Sequence, residues 1–92
     1  FGMVLEAADD DMMAELGLSG GVLVLEVAPD SPAAAAGIVG GDVVTRLGSR
    51  AVQSMEDFTG AVARLQPGQS VAIRLIRRGA PLFLAIRVPQ AE

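Results

Sequence analysis

Short apolar runs, each stopped by glycine or proline before it can lengthen, recur along the whole chain and constrain its fold more than any other feature. Val22–Val27 is a nearly continuous run of Val and Leu, read as a buried strand with Glu26 facing out, after the turn at Gly20-Gly21. Gly40-Gly41-Asp42 turns the chain into Val43–Leu47, with Val43, Thr45 and Leu47 expected on one face. Gly48-Ser49 then makes a tight connection to a short strand around Arg50–Val52. Near the end, Val71, Ile73 and Leu75 share a face. Leu82, Leu84, Ile86 and Val88 alternate with Phe83, Ala85 and Arg87 after a turn at Arg78-Gly79-Ala80. A loop and brief strand over Phe1–Glu6 complete a tally of five or six strands.

Helical signals fill the gaps. Asp9-Asp10-Asp11 leads a run of helix formers that Gly17 stops, enough for one or two turns. Ser31 caps a short helix with Pro32 in its first position and Gly37 closing it. The best helix is Ser54–Leu65. Ser54 and Asp57 form a capping-box-like pair, and Met55, Phe58, Val62 and Leu65 make one apolar stripe ended by Pro67-Gly68. These elements predict a mainly β fold with α+β character: a partly open, five- to six-stranded antiparallel sandwich or barrel capped by two or three helices. A chain of 92 residues supplies one core. It is expected to be a single domain over residues 1–92, folded through 88, with 89–92 as a C-terminal tail.

Composition excludes several chemistries. Histidine is absent, so neither a Ser-His-Asp nor a Cys-His arrangement can be assembled from this chain. Cysteine is absent too, which removes disulfides and thiolate metal sites. Ser31 and Ser54 are caps rather than nucleophiles, because no His or Lys is present to activate them. Asp9-Asp10-Asp11 cannot readily converge on one cation, and Gly17, Gly20 and Gly21 precede a strand instead of opening a helix, so no nucleotide loop is read there. Asp42 reads as a turn-stabilising residue and Arg77-Arg78 as a solvated hairpin end. The net charge of −4 argues against a nucleic-acid partner, and no apolar run is long enough for a membrane span. No catalytic residue, metal or cofactor is expected within the chain. Its opening Phe1-Gly2-Met3, with no initiator and no signal peptide, reads as a piece of a longer protein.

The stretch Ser31-Pro32-Ala33-Ala34-Ala35-Ala36-Gly37-Ile38, followed by Gly40-Gly41-Asp42-Val43-Val44, resembles the PDZ pattern. Ala61-Val62, Leu65, Pro67-Gly68 and the strand beginning Ser70-Val71 continue the match, which departs at Gly40, where the family more often has Pro. With Phe1-Gly2-Met3 at the start, the order resembles the PDZ domains of HtrA/Deg-type (DegP-like) periplasmic serine proteases, and the short tail after Val88 suggests the C-terminal PDZ. The resemblance implies a carboxylate-binding loop at Phe1, Gly2 and Met3 and a peptide-binding strand at Val4, Leu5 and Glu6. It also implies a groove helix carrying Phe58, Thr59, Val62 and Leu65, with Phe58 and Val62 the preferred groove candidates. The implied role is recognition of hydrophobic C-termini of misfolded envelope proteins by strand addition. Such a module would regulate or feed an upstream trypsin-like protease domain in the periplasm, the partners being unfolded proteins and that domain, with a homo-oligomer formed through the parent. The alternatives are an assembly module that packs on neighbouring subunits, or a PDZ domain of another envelope protease or secretion protein.

Overall fold

The computed structural model describes residues 2–8, 10–17 and 20–88. In chain order the elements are β1 (Met3–Ala7), α1 (Asp10–Leu16), β2 (Val22–Val27), α2 (Pro32–Ala36), β3 (Val43–Leu47), β4 (Arg50–Ala51), α3 (Met55–Ala63), β5 (Ser70–Arg77) and β6 (Ala80–Arg87). The six strands form one antiparallel sheet in the order β1-β2-β3-β5-β6, with β4 attached to β3. The expected tail at 89–92 lies outside the described residues.

The β5–β6 hairpin follows from its turn. Arg78 and Gly79 both take positive φ, 54° and 80°, the two-residue geometry whose twist matches the flanking strands. It sets Arg77 opposite Ala80 and keeps eight residue pairs in register to Ser70 and Arg87. Val71, Ile73 and Leu75 of β5 then face the main core with Leu82, Leu84 and Ile86 of β6, as their alternation predicts. Val22, Val24, Ala33, Ile38, Val44, Leu47, Val52, Phe58 and Ala61 complete that core. Both caps form as read. The Ser31 hydroxyl accepts the Ala34 N–H at 3.1 Å and that of Ser54 accepts the Asp57 N–H at 3.1 Å, while Gly37 closes α2 at φ 93°.

Four sequence expectations need correction. A register shift between Val44 and Arg46 breaks the alternation of β3, so Val43 does not share a face with Leu47. Val44 joins Leu47 in the main core, while Val43 packs with Ala8 and Ile76 in a second cluster beneath α1. A second shift, between Val4 and Leu5 in β1, opposes β2 where it leaves Leu25 exposed rather than buried. Helix α3 ends at Ala63 with Arg64 as its cap, so Leu65 lies beyond it. Finally, Arg77 is no solvated hairpin end: its guanidinium donates to both oxygens of Asp42, a carboxylate only 1% exposed.

Candidate functional site

Strand β1 lies at the end of the sheet. It pairs with β2 on one side, and among the described residues no strand pairs with its other side. Such an edge presents backbone N–H and C=O groups without ladder partners. Helix α3 packs against both β1 and β3, placing an apolar helix face beside that open edge. Met3 and Leu5 on β1 and Val62 on α3 are half-buried, and all three pack on the main core.

The approach to β1 is shaped by Gly2. Its φ of 81° is a left-handed conformation that side chains disfavour, and a Cβ at this position would sit 2.9 Å from the Ser31 hydroxyl and closer still to its Cβ. Ser31 itself is fixed. Its hydroxyl donates to the Ala28 carbonyl at 2.7 Å as well as capping α2. The Ala28 N–H in turn donates to the Gly2 carbonyl at 2.8 Å. The turn after β2 thus holds the backbone entering β1 in one conformation. A cleft of about 640 Å³ lies against this corner, lined by Gly2, Met3, Val4, Leu25, Val27 and Pro29 among others.

The candidate residues are placed as follows. Phe1 lies outside the described residues. Val4 is 52% exposed opposite Glu26, and Glu6 is exposed opposite Leu23. Phe58 is 7% exposed and sits in the main core. Thr59 is exposed, with its hydroxyl engaged by the carbonyls of Met55 at 2.5 Å and Glu56 at 3.4 Å. Leu65 borders a different and smaller cleft of about 190 Å³ with Leu47, Ala61 and Val71, at the β3–β4 end of α3. Gly2, Met3 and Val4 thus line the cleft at the head of β1, while Met3, Leu5, Val62 and Leu65 pack on the same core. Leu65 alone of the helix candidates lines the smaller cleft. Reading the sequence missed Leu25, exposed by the register shift. It also missed the contact of Ser31 with Gly2, for which the short Ser31-Pro32 cap was the available signal.

Chemically, the corner offers apolar surface and backbone hydrogen-bonding groups. Among the described residues no group of three His, Cys, Asp or Glu side chains is placed to hold a metal ion.

Comparison with known proteins is consistent over nearly the whole chain. A family profile described as PDZ domain matches residues 2–88. A probable periplasmic serine endoprotease, DegP-like, from Marinomonas sp. (strain MWYL1) is 30% identical over 87 residues, 95% of this chain and 18% of that protein. A variant of the HtrA-type protease AlgW, solved with a decapeptide, is 29% identical with a TM-score of 0.88, covering 99% of this chain and 28% of that one. The HtrA3 PDZ domain bound to a phage-derived ligand of sequence FGRWV is 25% identical with a TM-score of 0.78, over 95% of this chain and 81% of that one. The chain thus spans less than a third of the two proteases it matches.

Proposed function

This chain belongs to the PDZ domain family, and from that premise we propose that it binds the C-terminal end of an extended, apolar polypeptide by adding it as a strand to β1. The observation that carries the reading is the unpaired edge of β1 running beside α3, with Gly2 held at its entrance. The peptide backbone would pair with Met3, Val4, Leu5 and Glu6. Its last side chain would lie against Met3, Leu5 and Val62 above the buried Phe58, with Thr59 on the rim. Amides of Gly2 and Met3 would receive the terminal carboxylate, as successive backbone N–H groups can form an anion-binding concavity; Phe1, the other candidate for this loop, lies outside the described residues. Leu65, which borders the other cleft, contributes through packing. Solved relatives carrying bound peptides support the reading.

The wider role follows from the relatives. We place the domain in a DegP-like serine endopeptidase of the bacterial periplasm, where it would capture exposed hydrophobic C-termini of misfolded proteins and deliver them to, or switch, the protease domain. Catalysis would belong to that domain, because this chain has no histidine for a triad. The test is titration of the domain with apolar C-terminal peptides. Affinity on the order of micromolar, lost when the peptide carboxylate is amidated, is expected. Equal binding of the amidated peptide would sink the reading.

A further inference from the structure

The outer face of the sheet carries a feature that peptide capture at β1 does not use. Directly opposed residues on antiparallel strands project from the same face, and the pairings Arg46 with Arg74 and Arg74 with Phe83 run in one row across β3, β5 and β6. Phe83 is 70% exposed, the most exposed large apolar side chain among the described residues. The Arg74 guanidinium lies 5.9 Å from its ring centroid, and the Arg74 Nε is buried without a hydrogen-bond partner. Arg87 projects from the same face four pairs along β6. No Asp or Glu occurs in β3, β5 or β6, and no described carboxylate pairs with Arg46, Arg74 or Arg87. Met13 of α1 packs over the other end of this face, on Ala8, Val43 and Ile76. The Arg46–Arg74–Phe83 row has no such cover among the described residues.

Arg46 Nη2 donates to the Ser49 carbonyl at 3.4 Å. A domain of net charge −4 that sets guanidinium groups without a described carboxylate partner on the face of one protruding phenyl ring is complementary to carboxylates that flank an apolar side chain. We propose that this face docks an acidic polypeptide segment. Its carboxylates would pair with Arg46, Arg74 and Arg87, whose planar forks suit bidentate binding, while an apolar residue covers Phe83. An anionic bilayer fits less well, since recognition of its surface takes clusters of about four to eight basic residues and this face offers Arg46, Arg74 and Arg87. A second copy of the chain would have to dock head to tail, because the basic row has no acidic counterpart on its own face.

The test uses the 92-residue chain and the acetylated, amidated peptide Glu-Asp-Leu-Asp-Glu, whose blocked terminus keeps it out of the β1 groove. Saturable NMR shifts at Arg46, Arg74, Phe83 and Arg87, weakening as salt is added, are expected. R74Q and R87Q should each weaken binding about two- to fivefold. F83A should weaken it further while leaving the Leu84 and Ile86 resonances in place. Should F83A disturb those core resonances, R87Q, at an exposed position with no partner among the described residues, decides the matter. Any one of four results overturns the proposal: equal binding of the Gln-Asn-Leu-Asn-Gln peptide, no shifts up to about 1 mM, shifts only with phosphatidylglycerol vesicles, or the same shifts on concentrating the protein alone.

Discussion

The Arg77 guanidinium grips the Asp42 carboxylate through two parallel hydrogen bonds, Nε to Oδ1 at 2.9 Å and Nη2 to Oδ2 at 2.8 Å, across 35 positions of chain. The same Nη2 reaches the Gly37 carbonyl at 2.8 Å, and Asp42 Oδ2 accepts the Val39 N–H at 3.0 Å. One ion pair therefore ties the end of α2, the loop into β3 and the end of β5. Because Asp42 is buried and Arg77 is partly exposed, the two truncations are not equivalent. Arg77→Ala strands a buried carboxylate with only the Val39 N–H, whereas Asp42→Ala frees a guanidinium that can turn to water. Asp42→Ala should cost about 1–3 kcal/mol. Arg77→Ala should lower the urea midpoint more, and Asp42→Asn in that background should restore part of the loss.

The hydrogen bond to Asp42 chiefly, and the Asp42 charge as a lesser cause, hold the Arg77 guanidinium above its ordinary range, with burial pulling the other way. A raised pKa on a cation means its contribution is complete below the unfolded-state value and is lost only as pH climbs through the folded-state one. Both lie above the alkaline limit of ordinary buffers. The Arg77–Asp42 coupling in a double-mutant cycle should therefore be the same at about pH 7 and about pH 10. A coupling that fades over that interval would show that Arg77 does not carry the interaction.

Gly2→Ala meets two obstacles, a positive φ and the Ser31 side chain. It should destabilise the domain by about 1–2 kcal/mol and abolish peptide binding by moving the backbone at the head of β1. Ser31→Gly in the same chain removes the steric obstacle but not the conformational one, so only partial recovery is expected. Ser31→Ala alone forfeits the α2 cap, worth about 1 kcal/mol, and should leave peptide affinity nearly intact. Thermal melts and peptide titrations on the four proteins separate the contributions.

Much of the fold was legible because each strand and turn states its own period. Val71, Ile73 and Leu75 face one way whatever lies beside them, and Arg78-Gly79 dictates its hairpin. Val43 and Leu25 were misread because a register shift is a property of two strands together, and neither Val44–Arg46 nor Val4–Leu5 carries a glycine to announce it. The Arg77–Asp42 pair escaped for a related reason: either residue alone looks like a turn or hairpin end, and only the fold sets them side by side. At the site, family resemblance singled out Gly2 and the helix. It could not rank Phe58 against Val62, since the two share one stripe and differ by how far α3 is rotated toward the core.

That rotation makes a clean comparison. Phe58 is in the core, so Phe58→Ala should cost about 3–5 kcal/mol and its effect on binding will be inseparable from unfolding. Val62 is half-buried. Val62→Gln should keep the domain folded and weaken an apolar C-terminal peptide roughly tenfold, the equivalent of losing most of one buried aliphatic contact. Unchanged affinity in V62Q, with the fold confirmed by the Ile73 and Ile86 resonances, would remove α3 as a wall of the groove.

Hydrogen exchange reads the strand-addition geometry directly. Strand β5 is paired on both sides, by β3 and β6, and its Ile73 and Leu75 are fully buried, so its amides should exchange slowest, at the rate of global opening. Among the described residues strand β1 is bonded to β2 alone, so those of its amides not donated to β2 should exchange fast. A peptide added along the open edge gives these amides carbonyl partners, and only those residues of β1 should slow on binding. β6 is the other end strand of the sheet and is the internal control. If peptide slows exchange along Ala80–Arg87 and leaves Met3–Ala7 unchanged, strand addition occurs at the wrong edge for the groove proposed here. If both edges are unaffected while affinity is measurable, recognition proceeds through side chains and the β1 mechanism fails.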